Sequence, residues 1–358
     1  MLCLGIESSC DETALALVSD GRLLGQTLNS QADAHALFGG VVPELASREH
    51  ARFIAPLYDL LLEQCGLRAE APEAVAVARG PGLLGSLLVG VAFAKALAWA
   101  LGRPVIGVDH LQAHVLAVGL ERELLFPALA LLVSGGHTHI YLVRSPVDFT
   151  LLGRSLDDAA GEVLDKFGKM LGLPYPAGRL IDFLGASGTV DEKMFPRPYL
   201  DNDNLNFSFS GLKTAALLLL EKNSSLRFAP RAASCDPELP PGDTGRALAA
   251  LCASYAQTVA YTLAEKMRRA IKRTGVDALR SVILAGGVAA NSRVRATMDV
   301  LCRDFSLPLL VPSPEFCTDN AAMIAYAGEL LLQTGFRHDL DFSAVPRGRK
   351  IPDDYRKY

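Results

Sequence analysis

Two histidines stand four residues apart in the stretch GVDHLQAHVLAVG, at His110 and His114. The chain has seven histidines in all, so a pair at this spacing is the first place to look for chemistry. The stretch reads as a buried helix entered from the strand RPVIGVDH, and on a helix residues four apart share a face. Both imidazoles then face one point, and imidazole suits zinc, iron and other borderline ions. Two ligands do not make a site. The carboxylates open as a third are Asp11, Asp165 and Asp319. The competing reading is a pair of hydrogen-bonded core histidines. A zinc peptidase of the common HExxH type needs glutamate after the first histidine, and Leu111 stands there. Asp109, just before the pair, is either a support for the ligands or the acidic cap of the helix.

Three turns carry small and hydroxylated residues. Ser8, Ser9 and Thr13 flank the first, SSCDET. Ser134, Gly135, Gly136 and Thr138 make the second, SGGHT. Gly286 and Gly287 make the third, AGGVAAN. Strand-borne turns of this kind hold phosphate by amide donation, and the hydroxyls of Ser8, Ser9, Thr13 and Thr138 are candidates for the phosphate side. Asp11, inside the first turn, is the candidate for ordering a water or helping proton transfer. A hydrogen-bonding role within the turn is its alternative. No Walker sequence with its lysine is present, and no GxGxxG opens a helix after the first strand, so P-loop and Rossmann readings fail.

These residues need a frame to hold them. LCLGIE and ALALVSD read as strands joined by the first turn, DG reverses the chain, and LLGQTLNS follows as a third strand. A long helix starts near Pro43. PEAVAVARGPG is a strand running into glycine, and LLGSLLVGVAFAKALAWALG is an apolar helix. PALALLVSGGHTHIYLVRSP then repeats strand, polar turn, strand, which points to an internal duplication. SVILAGGVAANSRVRATM is strand, glycine turn, helix. Between these lie a helical region from about Ser155 to Gly172 and a poorly regular stretch to about Phe209. A proline-rich surface excursion covers about 223–244, and a strong amphipathic helix runs through GRALAALCASYAQTVAYTLAEKMRRAIKRTG.

Half of the 358 residues are hydrophobic and the formal net charge is -4, which suits an ordinary two-domain soluble protein and does not call globally for a nucleic-acid or membrane partner. Local basic clusters remain as candidates for RNA phosphate. They are Lys266, Arg268, Arg269, Lys272 and Arg273 at the end of the amphipathic helix, the tail RGRKIPDDYRKY, and Lys166, Lys169 and Lys213; solvated surface is the alternative for each. Seven cysteines with no CxxC pair favour reduced thiols in a cytosol. No secretory signal is expected, and PALALLVSGG is too short to span a bilayer.

The blocks GIESSCDET, GGVVPELASREH, GPGLLGSLLVG, DHLQAHVLA, LVSGGHTH, DDAAGEVLDKFGKMLGLPYP, FSFSGLKTA, LAGGVAAN and EFCTDNAAMIAYAG together resemble the tRNA threonylcarbamoyl-adenosine transferase family, whose relatives were once described as glycoproteases. The resemblance runs from Leu4 to about Gly328. It implies an α/β fold of the actin, hexokinase and Hsp70 ATPase superfamily (ASKHA), two duplicated lobes with a nucleotide cleft between them. The expected lobes are 1–124, completed by a returning segment at about 308–345, and 125–307. It implies transfer of a threonylcarbamoyl group from threonylcarbamoyl-AMP to N6 of adenosine 37 in tRNAs reading ANN codons. It selects Asp319 as the third ligand of one divalent ion, Fe2+ or Zn2+. It places Leu132, Val133, Ser134, Gly135, Gly136, Asp165, Gly178, Asp182 and Asn291 in substrate contact, beside Gly286 and Gly287. Many members carry YPGGP where this chain reads YPAGR, so Ala177 and Arg179 are departures. Implied partners, for a bacterial member, are tRNA, an inactive paralogue of the same fold (TsaB-like) and a small ATPase (TsaE-like), in the cytoplasm and without a membrane. The rival functions are a metal-dependent glycoprotein endopeptidase, a small-molecule kinase of the same fold, and a non-catalytic nucleotide-binding scaffold of an RNA-modifying complex.

Overall fold

The computed structural model describes residues 1–36, 38, 40–227 and 238–357. The chain forms two compact units, one of Met1–Leu124 with Thr318–Tyr358, the other of Leu125–Cys317. The return to the first unit thus begins at Thr318 rather than near residue 308. The reason is pairing: the short strand β10 (Leu309–Leu310) extends the second unit's sheet alongside β9 (Ser281–Ala285).

The first unit is built on β1 (Leu2–Glu7), β2 (Glu12–Ser19), β3 (Arg22–Ser30), β4 (Ala74–Gly80) and β5 (Val105–Asp109), in the order β3-β2-β1-β4-β5. The first three form an antiparallel meander, and β4 and β5 run parallel to β1. β1 and β4 are nearly continuous apolar runs buried on both faces, as strands covered by helices on each side must be. Leu4 and Ile6 pack with Ile54, Leu57 and Leu61 of the helix Pro43–Cys65 and with Val91 and Ala94 of the helix Leu84–Leu101. Gly5 points to the opposite face. A Cβ there would lie 2.3 Å from the Ala321 carbonyl, so the helix Ala321–Gln333 can seat on the sheet only because residue 5 is glycine.

The second unit repeats the plan with β6 (Ala128–Val133), β7 (Thr138–Ser145), β8 (Asp148–Arg154), β9 and β10, in the order β10-β9-β6-β7-β8. Meander strands and parallel strands correspond one for one between the two sheets, so the duplication is in topology as well as in motif. The core joins Leu129, Leu131 and Val133 to the helices Ala160–Leu171 and Asp243–Thr274. The stretch expected to be poorly regular contains a helix, Gly178–Gly185, whose buried Leu180, Ile181 and Leu184 share one face; flanking glycine and proline hide that short period in the sequence. Of the expected excursion, residues 228–237 lie outside the described residues. Ser224–Leu226 is a short turn of helix, and the long helix begins at Asp243.

Two helices, Leu84–Leu101 and Asp243–Thr274, are long and apolar enough to cross a membrane by length and composition. Both are packed elements of their units, the second with most of its apolar window buried.

At the basic end of the long helix Lys272 and Arg273 are exposed, whereas Lys266, Arg268 and Arg269 are engaged within the fold. Lys266 is fully buried, its Nζ 2.9 Å from both Asn202 Oδ1 and Asn204 O. Arg269 donates to the carbonyls of Leu200 and Asn202. Arg268 pairs with Asp304. These three clamp neighbouring segments of their own unit. Lys166 and Lys213 both pair with Asp158, at 2.6 and 3.2 Å.

Candidate metal centre and glycine turns

β5 ends at Asp109 and the helix His110–Leu116 begins at once. Asp109 is the cap: its Oδ1 accepts from Leu111 N (2.8 Å) and Gln112 N (3.2 Å), and burial, opposed by those amides, raises its pKa to about 6. The cap fixes the first turn, so both imidazoles emerge on one side. Asp319 reaches them from just ahead of the helix Ala321–Gln333, whose own cap, Asn320, accepts from Met323 N. His114 Nε2 lies 3.0 Å and His110 Nε2 3.7 Å from Asp319 Oδ1. One ligand atom from each of the three lies within 4.8 Å of the others. The cluster contains neither Asp11 nor Asp165.

Bonds of about 2.0–2.2 Å to nitrogen and oxygen leave two ligand atoms no more than about 4.4 Å apart, and the separations of 3.7 and 3.0 Å from the histidine nitrogens to Asp319 Oδ1 lie within that. A second observation supports the fit. His110 Nδ1 donates to Glu7 Oε2 at 2.9 Å, and Glu7 Oε1 accepts from Ser9 N at 2.6 Å. Glu7 is fully buried. A carboxylate on the far ring nitrogen fixes the tautomer that leaves Nε2 free to ligate. His114 Nδ1 is buried without a hydrogen-bond partner, which costs about 1–3 kcal/mol; the ring is held where Nε2 meets the cluster rather than where Nδ1 would be satisfied. Glu12 records the excess of negative charge around it: burial, with Asp11 and Asp319 reinforcing it, lifts its pKa to about 9, so it keeps its proton at neutral pH. Burial alone would pull His110 down, but Glu7 and Asp319 outweigh it and hold it near 9. The cluster is short of positive charge.

The first turn is otherwise occupied by the fold. Ser8 Oγ donates to Ser86 O, Ser9 Oγ lies 3.3 Å from His110 Nδ1, and Thr13 Oγ1 lies 2.7 Å from His50 Nδ1. In the second unit, Thr138 Oγ1 accepts from Ala160 N at 2.8 Å. All four residues are buried. This corrects the expectation of phosphate-side hydroxyls: each is turned inward to satisfy a neighbour. Asp11 is half-buried, and its backbone carbonyl accepts from Gln31 N.

In the second unit the two glycine turns leave the same end of neighbouring parallel strands, since Leu132 pairs with Ala285. Ser134 Oγ accepts from Gly136 N and His137 N, shaping its turn. Gly286 adopts φ +89, and a Cβ there would lie 2.5 Å from Val133 O, so its glycine is required by the fold. Gly135, Gly178 and Gly287 have open space where a Cβ would be. Asp165 Oδ1 accepts from Ala177 N at 2.8 Å; burial raises its pKa against that amide. Asp182 accepts from Ser292 N and Oγ (3.0 and 2.7 Å), and Asn291 caps the helix Ser292–Asp304 through Arg293 N and Val294 N. Ala177, one of the departures, is buried, with its methyl group over Gly168. Arg179 is exposed.

Glu7, Glu12 and His50 escaped the sequence reading. Each acts through partners distant in sequence, and no local spacing marks them.

A sheet order repeated twice, with polar turns leaving the ends of the first strands, defines the actin, hexokinase and Hsp70 class. The solved structure of T. kodakarensis HypF is similar (TM-score 0.58, 14% identity, 93% of this chain and 48% of that chain), as is full-length HypF in its phosphate- and nucleotide-bound form (TM-score 0.59, 12% identity, 96% and 47%); this chain spans about half of either. The family model "TsaD: tRNA N6-adenosine threonylcarbamoyltransferase" matches residues 22–326. Proteins of that description from Nitratidesulfovibrio vulgaris and Lawsonia intracellularis are 60% and 52% identical over 358 residues, covering all of this chain and 98% and 100% of theirs. The chain belongs to the tRNA N6-adenosine threonylcarbamoyltransferase family and is an acyltransferase of it.

Proposed function

We propose that His110, His114 and Asp319 hold one divalent ion, Fe2+ or Zn2+, that serves threonylcarbamoyl transfer. As a member of its family, the enzyme transfers the threonylcarbamoyl group from threonylcarbamoyl-AMP to N6 of adenosine 37 in tRNAs reading ANN codons, forming t6A37. The observation that carries the metal reading is the three-ligand cluster with buried Glu7 behind His110. When bound, the ion supplies a Lewis acid that orients the carbamoyl and threonyl oxygens and stabilises developing charge.

The chain's own side chains do the positioning. Glu7 keeps the His110 proton on Nδ1. Asp165 fixes the backbone at Ala177–Gly178, and Asp182 and Asn291 fix the start of the helix at Ser292. With Leu132, Val133, Ser134, Gly135, Gly136, Gly286 and Gly287 they form the adenylate site, in which open Gly135, Gly178 and Gly287 let backbone amides approach the ligand. Asp11 beside the cluster accepts the proton released as N6 attacks, directly or through water.

Partners are a TsaB-like paralogue and a TsaE-like ATPase. The support is the outer face of the helix Leu84–Leu101, where Leu84, Leu88 and Trp99 are exposed (46, 50 and 75%) and a same-fold helix could cover them. A cytoplasmic location is supported by the tRNA substrate and by the described cysteines, all free thiols.

The test is element-resolved metal analysis paired with tRNA nucleoside mass spectrometry, on wild type, His110→Ala, His114→Ala and Asp319→Ala. About one equivalent of metal per wild-type chain is expected, with adenylate-dependent product, both lost in the variants. Full transfer by metal-free wild type would return the pair to core histidines, and peptide hydrolysis needing the same residues would return the peptidase reading.

A further inference from the structure

The buried stripe of the helix Pro43–Cys65 runs through Ala46, His50, Ile54, Leu57 and Leu61. An imidazole stands in it where leucine would pack. His50 is fully buried, and a buried polar ring is unfavourable unless its nitrogens are hydrogen-bonded. Both are. Nε2 lies 3.0 Å from Cys10 O and Nδ1 lies 2.7 Å from Thr13 Oγ1. A carbonyl only accepts, so Nε2 carries the proton. Burial holds the ring below its ordinary pKa, so it is neutral; Nδ1 then accepts, and the fully buried Thr13 hydroxyl donates. One ring bridges residues 10 and 13.

Asp11 and Glu12 stand between those two residues. Three successive carbonyls of this turn are held by three different parts of the first unit. Ser9 O accepts from Leu83 N at 2.8 Å, Cys10 O from His50, and Asp11 O from Gln31 N at 3.1 Å, just past β3. Two of the donors are backbone amides that hold one carbonyl each. His50 reaches both ends of the Asp11–Glu12 segment, tying its loop end to Thr13, which is already paired with Asn29 in the sheet. The Cys10 thiol and the Glu12 carboxyl each hydrogen-bond to Asp11, and each feels the charge of Asp319. Asp11 is thus one hydrogen bond from two groups that sense a ligand of the proposed ion. Ser9 is fixed separately, by Glu7 Oε1 on its N–H and Leu83 N on its carbonyl. Loosening residues 10–13 therefore leaves the support behind His110 in place.

We propose that His50 is a positioning residue, which staples Cys10 to Thr13 and so aims Asp11 at the transfer step. The inference rests on the reading of Asp11 as proton acceptor and adds what holds that carboxylate. In the step, N6 bonds the carbamoyl carbon, the bond from that carbon to the phosphate oxygen breaks, AMP leaves with the electron pair, and the N6 proton passes to Asp11. His50 touches none of these atoms. A proton acceptor works from about 2.6–3.2 Å or through one water, and a displacement of about 1 Å costs on the order of 100-fold in rate.

The experiment measures single-turnover transfer at saturating adenylate and tRNA, using the full chain with its partner proteins. It compares wild type, Thr13→Val, Asp11→Asn and the double variant. Thr13→Val keeps the side-chain shape and removes the hydroxyl, whereas His50→Leu breaks both bonds and endangers the fold. Thr13→Val should lower the saturated rate on the order of 10–100-fold, with metal content and half-saturating adenylate unchanged. Thr13→Ser, which keeps the hydroxyl, should recover most of the rate. In the Asp11→Asn background Thr13→Val should cost nothing further, because the staple acts through that carboxylate; a histidine that only fills the core gives losses that multiply. His50→Gln, whose amide still reaches Cys10 O, runs the same cycle if Thr13→Val does not fold. A folded Thr13→Val at the wild-type rate beside an impaired Asp11→Asn, or losses that multiply in the double variant, would overturn the proposal. A wild-type rate from Asp11→Asn would instead remove the reading of Asp11 beneath it, and the proposal with it.

Discussion

Replacing Glu7 by glutamine isolates the control of one proton. The wild-type carboxylate accepts from two donors, His110 Nδ1 at 2.9 Å and Ser9 N at 2.6 Å. A glutamine amide has the same shape but only one acceptor oxygen. If that oxygen faces Ser9 N, the NH2 group meets His110 Nδ1, which must shed its proton. The proton then sits on Nε2 and blocks the ligating position. If the oxygen faces His110, the NH2 opposes Ser9 N–H, donor against donor, at a buried position. A donor left unpaired costs about 1–3 kcal/mol. Loss of a carboxylate behind a ligating histidine typically costs 10–100-fold in metal affinity, about 1.4–2.7 kcal/mol. Glu7→Gln should therefore bind Zn2+ roughly 10–100-fold more weakly in chelator competition. Nitrogen-15 shifts of His110 should report a changed tautomer, and product formation should fall in parallel with metal content. Wild-type metal affinity in a folded Glu7→Gln protein, with the His110 tautomer unchanged, would refute the reasoning.

Gly287→Ala and Gly286→Ala should part company. Gly287 has room for a methyl group, so its variant should fold normally and lose adenylate affinity in calorimetry, whereas Gly286, at φ +89 and against Val133 O, should cost about 1–2 kcal/mol or more of stability, read as a lower Tm. Lys266→Met should lower Tm and leave tRNA affinity unchanged, because the ammonium is held by Asn202 and Asn204; weakened tRNA binding at unchanged Tm would restore it to the RNA surface. Arg79 holds Asp354 down at about 2, below the usual 3.9. The folded-state pKa is the lower one, so the stabilisation is present above about pH 4 and lost as pH falls towards 2. Melting curves of wild type and Asp354→Asn should converge over that window and separate above it.

The elements that bear the site were legible because each carries a strong local signal. Pro43 opens a helix, Gly5 and its neighbours read as strand, and the repeated strand–turn–strand announces a duplicated sheet. His110 and His114 could be paired from helical spacing alone, whereas Asp319 was reached only through resemblance, since nothing local ties residue 319 to residue 110. The misreadings have a common cause. Ser8, Ser9, Thr13 and Lys266 have polar side chains that sequence assigns to solvent or ligand, and the fold turns each inward onto a partner remote in sequence. Glu7 shows the same gap from the other side: a carboxylate at the end of a strand has no visible purpose until His110 is beside it.

The helix Ala321–Gln333 covers the Gly5 face of a sheet whose strands all lie within the first 109 residues. A ribosome making the chain in order emits roughly 190 residues of the second unit between β5 and that helix, about 10–40 s at ordinary synthesis rates. Throughout that interval one side of the first sheet has no covering layer from its own unit, and His110 and His114 wait without Asp319. The second unit can finish its core first. An ion held as proposed could thus join the nascent chain only after Asp319 had been made, and a polypeptide released before that residue could not form the centre. Loading with metal would mark a chain that has been read to its closing helix.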